Sequence, residues 1–445
     1  MAQRAAGVRL RVPPPPSVSR LPARDVLALA APALPVLAAE PLYLLVDTAV
    51  VGRLGAVPLA GLAVAGVLFA QVTTQLNFLS YGTTARTARL HGAGRRADAV
   101  AEGVQATWLA LGVGLIVLGV GQLVAAPVAG AIGNGGAIAA GAVSWLRVAL
   151  FGAPLVLITL AGNGWMRGVQ DTRRPLYFVL GANAVSAAGC LVLVPQLGLV
   201  GSAVANVIGQ TVGAVLFLGA LARERVPLRP RPAVLRAQLS LGRDLLARSL
   251  AFQACFLSAA AVATRFGAAT AAAHQVVLQL WSFMALVLDA VAIAAQSLIG
   301  AALGGGGAVR ARALAAQVTR YGLVLGVGFG LLFAALIGVL PPVFTPDPAV
   351  LAVIPVAWWF FAALQPVAGV VFAIDGVLLG AGDAAFLRTS TLAAAVLGFL
   401  PLIWASLAFG WGLAGIWTGL TAFMAIRLVA VGLRVRGDRW AVVGT

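Results

Sequence analysis

The sequence predicts an all-α integral membrane protein, with twelve transmembrane helices in two six-helix lobes related by a pseudo-twofold axis along the membrane normal. Three observations predict it. The 445 residues are 61% hydrophobic and only 10% charged, with a mean hydropathy of +1.00, whereas soluble domains are about 45–50% apolar and about 25% charged. Twelve windows are each long and apolar enough to cross a bilayer, and arginine clusters on alternate connections between them. The second half of the chain repeats landmarks of the first at a fixed offset.

The windows fall at 25–51, 57–80, 100–125, 138–165, 175–195, 199–222, 245–265, 271–301, 318–340, 350–379, 388–409 and 412–433. Residues 1–21 are rich in Arg and Pro and lack the apolar stretch of a signal peptide, so they read as a disordered cytoplasmic tail. Of the 30 basic residues, all arginine, 27 belong to the N-terminal tail, the connections after even-numbered spans and the C-terminal region. The opposite side holds Arg53 and Arg265, and Arg147 falls within span 4. Positive charge stays inside, so both termini are expected in the cytoplasm, as an even number of spans requires. The net charge of +17 therefore reflects topology. It lacks the clustered stripe of a nucleic-acid binder, and no nucleic-acid partner is expected. Cys190 and Cys255 lie in apolar runs and read as inert packing residues.

The repeat is visible at an offset of 212 residues. Arg53-Leu54-Gly55-Ala56 aligns with Arg265-Phe266-Gly267-Ala268, and the Gly92–Gly94 turn with Gly304–Gly306. Asn163-Gly164, Gly168 and Asp171 align with Asp375-Gly376, Gly380 and Asp383. Near the end, Leu197–Gly201 matches Trp411–Gly415 at 214. Each half holds an even number of spans, so the halves are parallel repeats. The expected division is an N-terminal lobe at 22–222, an Arg- and Pro-rich linker at 223–243, a C-terminal lobe at 244–435 and a cytoplasmic tail at 436–445. Such a two-lobed body is typical of a secondary transporter. No GxxxxGK[ST] motif is present to support ATP drive.

Glu40, Asp47, Asp289 and Asp375 lie inside apolar spans. Burying a carboxylate there costs at least about 2.5–3.5 kcal/mol, so each is expected to face a cavity or a partner. Burial raises a carboxyl pKa in general, which suits a group that binds and releases protons. Glu40 and Asp47 are seven residues apart, so they share a helix face about 10 Å apart along the axis, with Tyr43 between them. Pro32, Pro35 and Pro41 permit that helix to bend. At the 212 offset Asp47 meets Ala259 and Glu40 meets Phe252, while Asp289 and Asp375 meet Asn77 and Asn163. The acids are asymmetric on a symmetric scaffold, as grafted sites are.

Span 8 carries Gln275, Ser282, Asp289 and Gln296 at seven-residue spacing, flanked by His274 and Gln279. That stripe lines a watery cavity or glues helices together. Gln365 and the aromatics Trp281, Phe283, Trp358, Trp359, Phe360 and Phe361 form either a cradle for flat cations or ordinary packing. Two isolated histidines offer no compact catalytic set, so no enzyme activity and no metal site are expected.

Several segments together resemble the MATE (multidrug and toxic compound extrusion) transporters, in particular their DinF-like branch. They are PLYLLVDTAVVGRLG (41–55), LNFLSYGTTA (76–85), NGWMRGVQDTRRPLY (163–177), GLVGSAVANVIGQ (198–210), AAHQVVLQLWSFMALVLDAVAIAAQ (272–296), FTPDPAV (344–350) and DGVLLGAGD (375–383). The resemblance implies export of organic cations or other amphipathic compounds in exchange for H⁺ or Na⁺. It implies that Asp47 couples ion entry to bending of the first helix. The branch completes a cation site with an Asn and an Asp on helix 5 and a Thr on helix 6. Here helix 5 reads GANAVSAAGCLVLV with no acid; Ser186 and Cys190 have the spacing, Asn183 is nearby, and Asn206 takes the Thr position. A hard cation wants several oxygens, so this departure favours H⁺ through Asp47, with Glu40 as helper, over Na⁺. Asn77, Asn163, Gln275, Gln279, Ser282, Asp289 and Asp375 are candidates for a substrate or second polar site. The expectation is a monomeric antiporter of a bacterial inner membrane, in contact with lipid and needing no cofactor. The alternative is a flippase for a lipid-linked substrate, disfavoured because Arg147 alone was expected within a span.

Overall fold

In hydrocarbon every backbone N–H and C=O must be satisfied within the protein, and a helix does this within one segment. The computed structural model describes residues 30–132 and 136–444, so the expected tail at 1–21 lies outside them. Among the described residues twelve helices are long and apolar enough to cross a membrane. Spans 1–6 are Ala33–Gly52, Ala56–Gly92, Arg96–Ala131, Gly136–Gly168, Arg173–Leu197 and Leu199–Arg223. Spans 7–12 are Pro232–Arg265, Ala268–Gly304, Ala308–Leu336, Pro348–Gly380, Ala384–Phe409 and Gly412–Arg436. Span 2 breaks briefly at Leu76–Asn77, and span 11 carries a π-helical turn at Ala395–Phe399.

The repeat recurs in three dimensions. Gly55 and Gly267 both take positive φ (116° and 103°), as do Gly94 and Gly306 (75° and 78°). Only glycine enters this region without steric cost, so the same tight turns join the same spans in each half. Helix crossings repeat too. A Cβ on Gly164 would meet the Ser80 carbonyl, and one on Gly376 would meet that of Ala292. Gly114 lies against Pro154, and Gly326 against Pro366. In each case both partners are 212 residues from their counterparts. Small residues permit this close helix packing, which replaces the hydrophobic drive that lipid removes.

The lobes meet at the arginine-rich end. A Cβ on Gly92 would lie 1.9 Å from the Ala301 carbonyl oxygen, and one on Gly304 1.8 Å from that of Arg89. Arg89 and Ala301 are themselves 212 apart, so the contact is isologous: span 2 and span 8 touch across the pseudo-twofold axis. Tyr81, Gln296, Ser297 and Arg167 extend the seam: Gln296 Nε2 donates to the Tyr81 carbonyl (2.6 Å) and Ser297 Oγ to that of Arg167 (3.0 Å). Ala30 and Ala33 of the first span pack on Ala294, Ala290 and Ile293 of span 8. Toward the other end, Gln275, Gln279 and Ser282 on span 8 are exposed. The lobes therefore touch at the arginine-rich end through spans 2 and 8, beside a cavity lined by Arg86, Arg89, Glu102, Ser240 and Asp244.

Two expected boundaries shift. Residues 232–243, read as linker, are the first turns of span 7, because Pro232 opens the helix at its N1 position. Residues 437–444, read as a tail, form a strap across the seam. Trp440 is buried in the C-terminal lobe. Arg89 donates to the carbonyls of Val442 and Gly444, and the Gly444 amide donates to the Leu303 carbonyl (3.1 Å).

Candidate functional site

Two sites carry the buried acids, one in each lobe. In the N-terminal lobe Asp47 is 1% exposed. Tyr43 sits one turn earlier on span 1 and is also buried. Cys190 Sγ of span 5 donates to Asp47 Oδ1 at 3.3 Å and lies 3.7 Å from the Tyr43 hydroxyl. The Ser202 hydroxyl of span 6 faces the same carboxylate and accepts from Trp145 Nε1 (3.1 Å). Asn206, one turn on, faces the Tyr43 hydroxyl, and its own Oδ1 has no partner. Every group hydrogen-bonded to Asp47 is neutral.

Other residues expected here lie elsewhere. Glu40 stands two turns before Asp47 on span 1, with an exposed side chain. Asn183 donates to the Val179 carbonyl of its own helix (2.9 Å). Ser186 is buried against Gly209 of span 6, one turn before Cys190. Ser202 was missed in sequence, although its spacing of four from Asn206 puts both on one face of span 6.

The second site lies between the lobes and runs into the C-terminal one. Tyr81 donates to Asp289 Oδ2 at 2.6 Å, and Arg167 and Arg248 face that carboxylate. Asp375 Oδ2 accepts from Arg248 Nη2 of span 7 (2.5 Å) and from Arg427 Nη2 of span 12. Arg427 is 1% exposed. This corrects the expectation that Arg147 is alone among arginines within spans: Arg147 is exposed, whereas Arg167, Arg248 and Arg427 converge on the acids. Neither acid is a free carboxylate awaiting a cationic substrate. A cavity of about 640 Å³ reaches both, lined also by Asn77, Phe78, Arg248 and Phe252.

The span 8 stripe divides at Asp289. Asp289 and Gln296 bond Tyr81 across the seam, while Gln275, Gln279 and Ser282 remain exposed. Asn163 is buried with its Oδ1 unpartnered and is not in the cavity lining. His274 packs edge-on against Trp417 with neither ring nitrogen hydrogen-bonded. Of the expected aromatic cradle, Trp281 lines a cavity. Trp358 and Phe361 are core, Gln365 is buried beside them, Phe360 is partly buried against that core, and Phe283 and Trp359 are exposed. Among the described residues no cluster of three or more His, Cys, Asp or Glu could hold a metal.

Two lobes closing at one end around buried polar sites define a two-lobed membrane transporter. The MatE family pattern matches residues 32–192 and 245–404, one stretch in each lobe. The chain thus belongs to the MATE family of multidrug and toxic-compound efflux transporters and is a multi-pass membrane protein acting on small molecules. It is 34% identical to Protein DETOXIFICATION 44, chloroplastic, of Arabidopsis thaliana, over 94% of this chain and 82% of that one. It is 29% identical to DNA damage-inducible protein F of Escherichia coli (strain K12), over 87% and 86%. A crystal structure of MATE in the bent conformation superposes with a TM-score of 0.88 at 18% identity, covering 95% of this chain and 97% of that one.

Proposed function

We propose that the protein is a monomeric secondary antiporter of a bacterial cytoplasmic membrane, with both termini in the cytoplasm. It exports amphipathic small molecules in exchange for H⁺ by alternating access. The observation that carries this is Asp47: a buried carboxylate held, among the described residues, by Cys190 and Ser202, both neutral. With no arginine to fix its charge, it is free to take up and release a proton, and Pro41 lies within the helix that must respond. Na⁺ is the poorer partner, since one carboxylate, a thiol and scattered hydroxyls fall short of the oxygen shell a hard cation needs. The arginine-rich end then faces the cytoplasm.

The test uses proteoliposomes. Efflux of a fluorescent amphipath, once as a cationic and once as an anionic dye, is followed under a pH gradient and then under a Na⁺ gradient. Wild type is expected to respond to the pH gradient, and Asp47→Asn to lose that response. Gradient-driven transport that survives in Asp47→Asn removes Asp47 from coupling. A flippase for a lipid-linked substrate is the second reading, favoured by Arg167, Arg248 and Arg427 at the cleft. It predicts lipid translocation that is indifferent to either gradient.

A further inference from the structure

The pair of arginines on Asp375 is out of balance. Two guanidinium groups converge on one carboxylate oxygen, while Asp375 Oδ1, Arg248 Nε and Arg427 Nε are buried without any partner. A guanidinium normally meets a carboxylate through two parallel bonds, so this one carboxylate leaves donors of both arginines unserved, and the cluster holds one positive charge more than negative. Arg167 and Asp289 nearby add one charge of each sign and leave the excess positive.

The excess charge sits in a built chamber. Arg248 and Arg427 border a mostly apolar cavity inside the C-terminal lobe, walled by Phe252, Phe256, Trp281, Phe372 and Phe423. Phe252 lies beneath both guanidinium groups, at 5.6 Å from that of Arg248 and 5.1 Å from that of Arg427. A ring under each guanidinium plane holds it flat and leaves its edge to bond an oxyanion. Arg248, Phe252 and Phe372 also line the interlobe cavity, so the chamber communicates with the cleft. The N-terminal lobe has no equivalent: 212 residues earlier, Arg248 becomes Val36 and Asp375 becomes Asn163, and at 214 Arg427 becomes Gly213. Scaffold symmetry therefore does not require these charges.

We propose that this chamber binds aromatic anions, with a carboxylate or sulfonate on Arg248 and Arg427 and a planar ring among the phenylalanines and Trp281. Two desolvated guanidiniums repel a cationic ligand and attract an acidic one. That such anions are also exported rests on the antiport reading above. One proton entering per monovalent anion leaving carries two positive charges inward, so an inside-negative potential accelerates the cycle. Exchange of a monovalent cation for one proton is electrically silent.

Binding is measured first, on the full-length protein in lipid nanodiscs with no gradient, by tryptophan fluorescence. The probes are 2-naphthoate, neutral 2-naphthamide and cationic 2-naphthylmethylammonium. Naphthoate is expected to bind at least ten-fold tighter than the amide, and the ammonium weakest. Arg248→Gln is expected to weaken naphthoate at least ten-fold without weakening the amide, and Arg248→Lys to recover part of the loss. Equal affinity for naphthoate and naphthamide in wild type overturns the proposal without any variant. So does tighter binding of the ammonium. Nanodiscs with and without phosphatidylglycerol separate the sources of an oxyanion: displacement of naphthoate by that lipid makes the chamber a headgroup site and overturns the small-molecule proposal. Because binding needs no gradient, intact naphthoate binding with failed ΔpH-driven efflux refutes antiport alone. Gradient-driven efflux with no anion preference refutes the chamber alone.

Discussion

Adding one methyl group at Gly304 tests the closed seam. Its Cβ would lie 1.8 Å from the Arg89 carbonyl oxygen, where ordinary contact begins at 3.4 Å. The obstacle is backbone on both sides, so the helices must part by more than an ångström. That parting stretches four neighbouring bonds: Gln296 to Tyr81 (2.6 Å), Tyr81 to Asp289 (2.6 Å), Ser297 to Arg167 (3.0 Å) and Gly444 to Leu303 (3.1 Å). At about 1 kcal/mol each, the state with this seam in contact loses about 4 kcal/mol, close to a thousand-fold in population. The assay is electron–electron distance measurement between spin labels at Arg53→Cys and Arg265→Cys, both exposed at the opposite end. The two native cysteines are buried. Gly304→Ala is expected to shorten the distance between labels, and Gly92→Ala, with its Cβ 1.9 Å from the Ala301 oxygen, to do the same. Gly119→Ala, where a Cβ meets nothing within 4 Å, serves as the control. A distance distribution in Gly304→Ala that matches the control would refute the seam as the gate.

Two further outcomes follow from burial. Asp375→Leu leaves Arg248 and Arg427 without their carboxylate, and breaking such a buried pairing costs about 3–5 kcal/mol, so the melting temperature in detergent is expected to fall clearly. The triple variant Asp375→Leu/Arg248→Met/Arg427→Met should regain most of it; an unchanged single variant would mean the cluster is not structural. Trp440→Ala is expected to cost about 3–5 kcal/mol and to release the strap, read as protease cleavage after residue 436 at lower protease concentration.

The architecture was legible because its signals are local. Twenty-residue apolar windows, arginine on alternate connections and turn glycines at one offset survive without tertiary knowledge. The sites were legible only in part. Asp47 announced itself as an acid in an apolar span, and Cys190 entered through a family pattern. Ser202 was invisible because a serine in a glycine-rich helix is unremarkable. Arg427 was misplaced because it lies near Arg434 and Arg436 and was counted with the arginine-rich side. A charge tally within spans would have found it, since Asp375 needed a buried cation.

The strap at 437–444 bonds Arg89 of one lobe and Leu303 of the other, so it cannot keep both attachments once the lobes part. In the alternating cycle proposed above, it is released when the lobes part and rebinds when they close. Its last residues thus become a timekeeper legible from outside the membrane body: an antibody fragment raised against the peeled peptide would capture the transporter during one half of its cycle, and would stall it there.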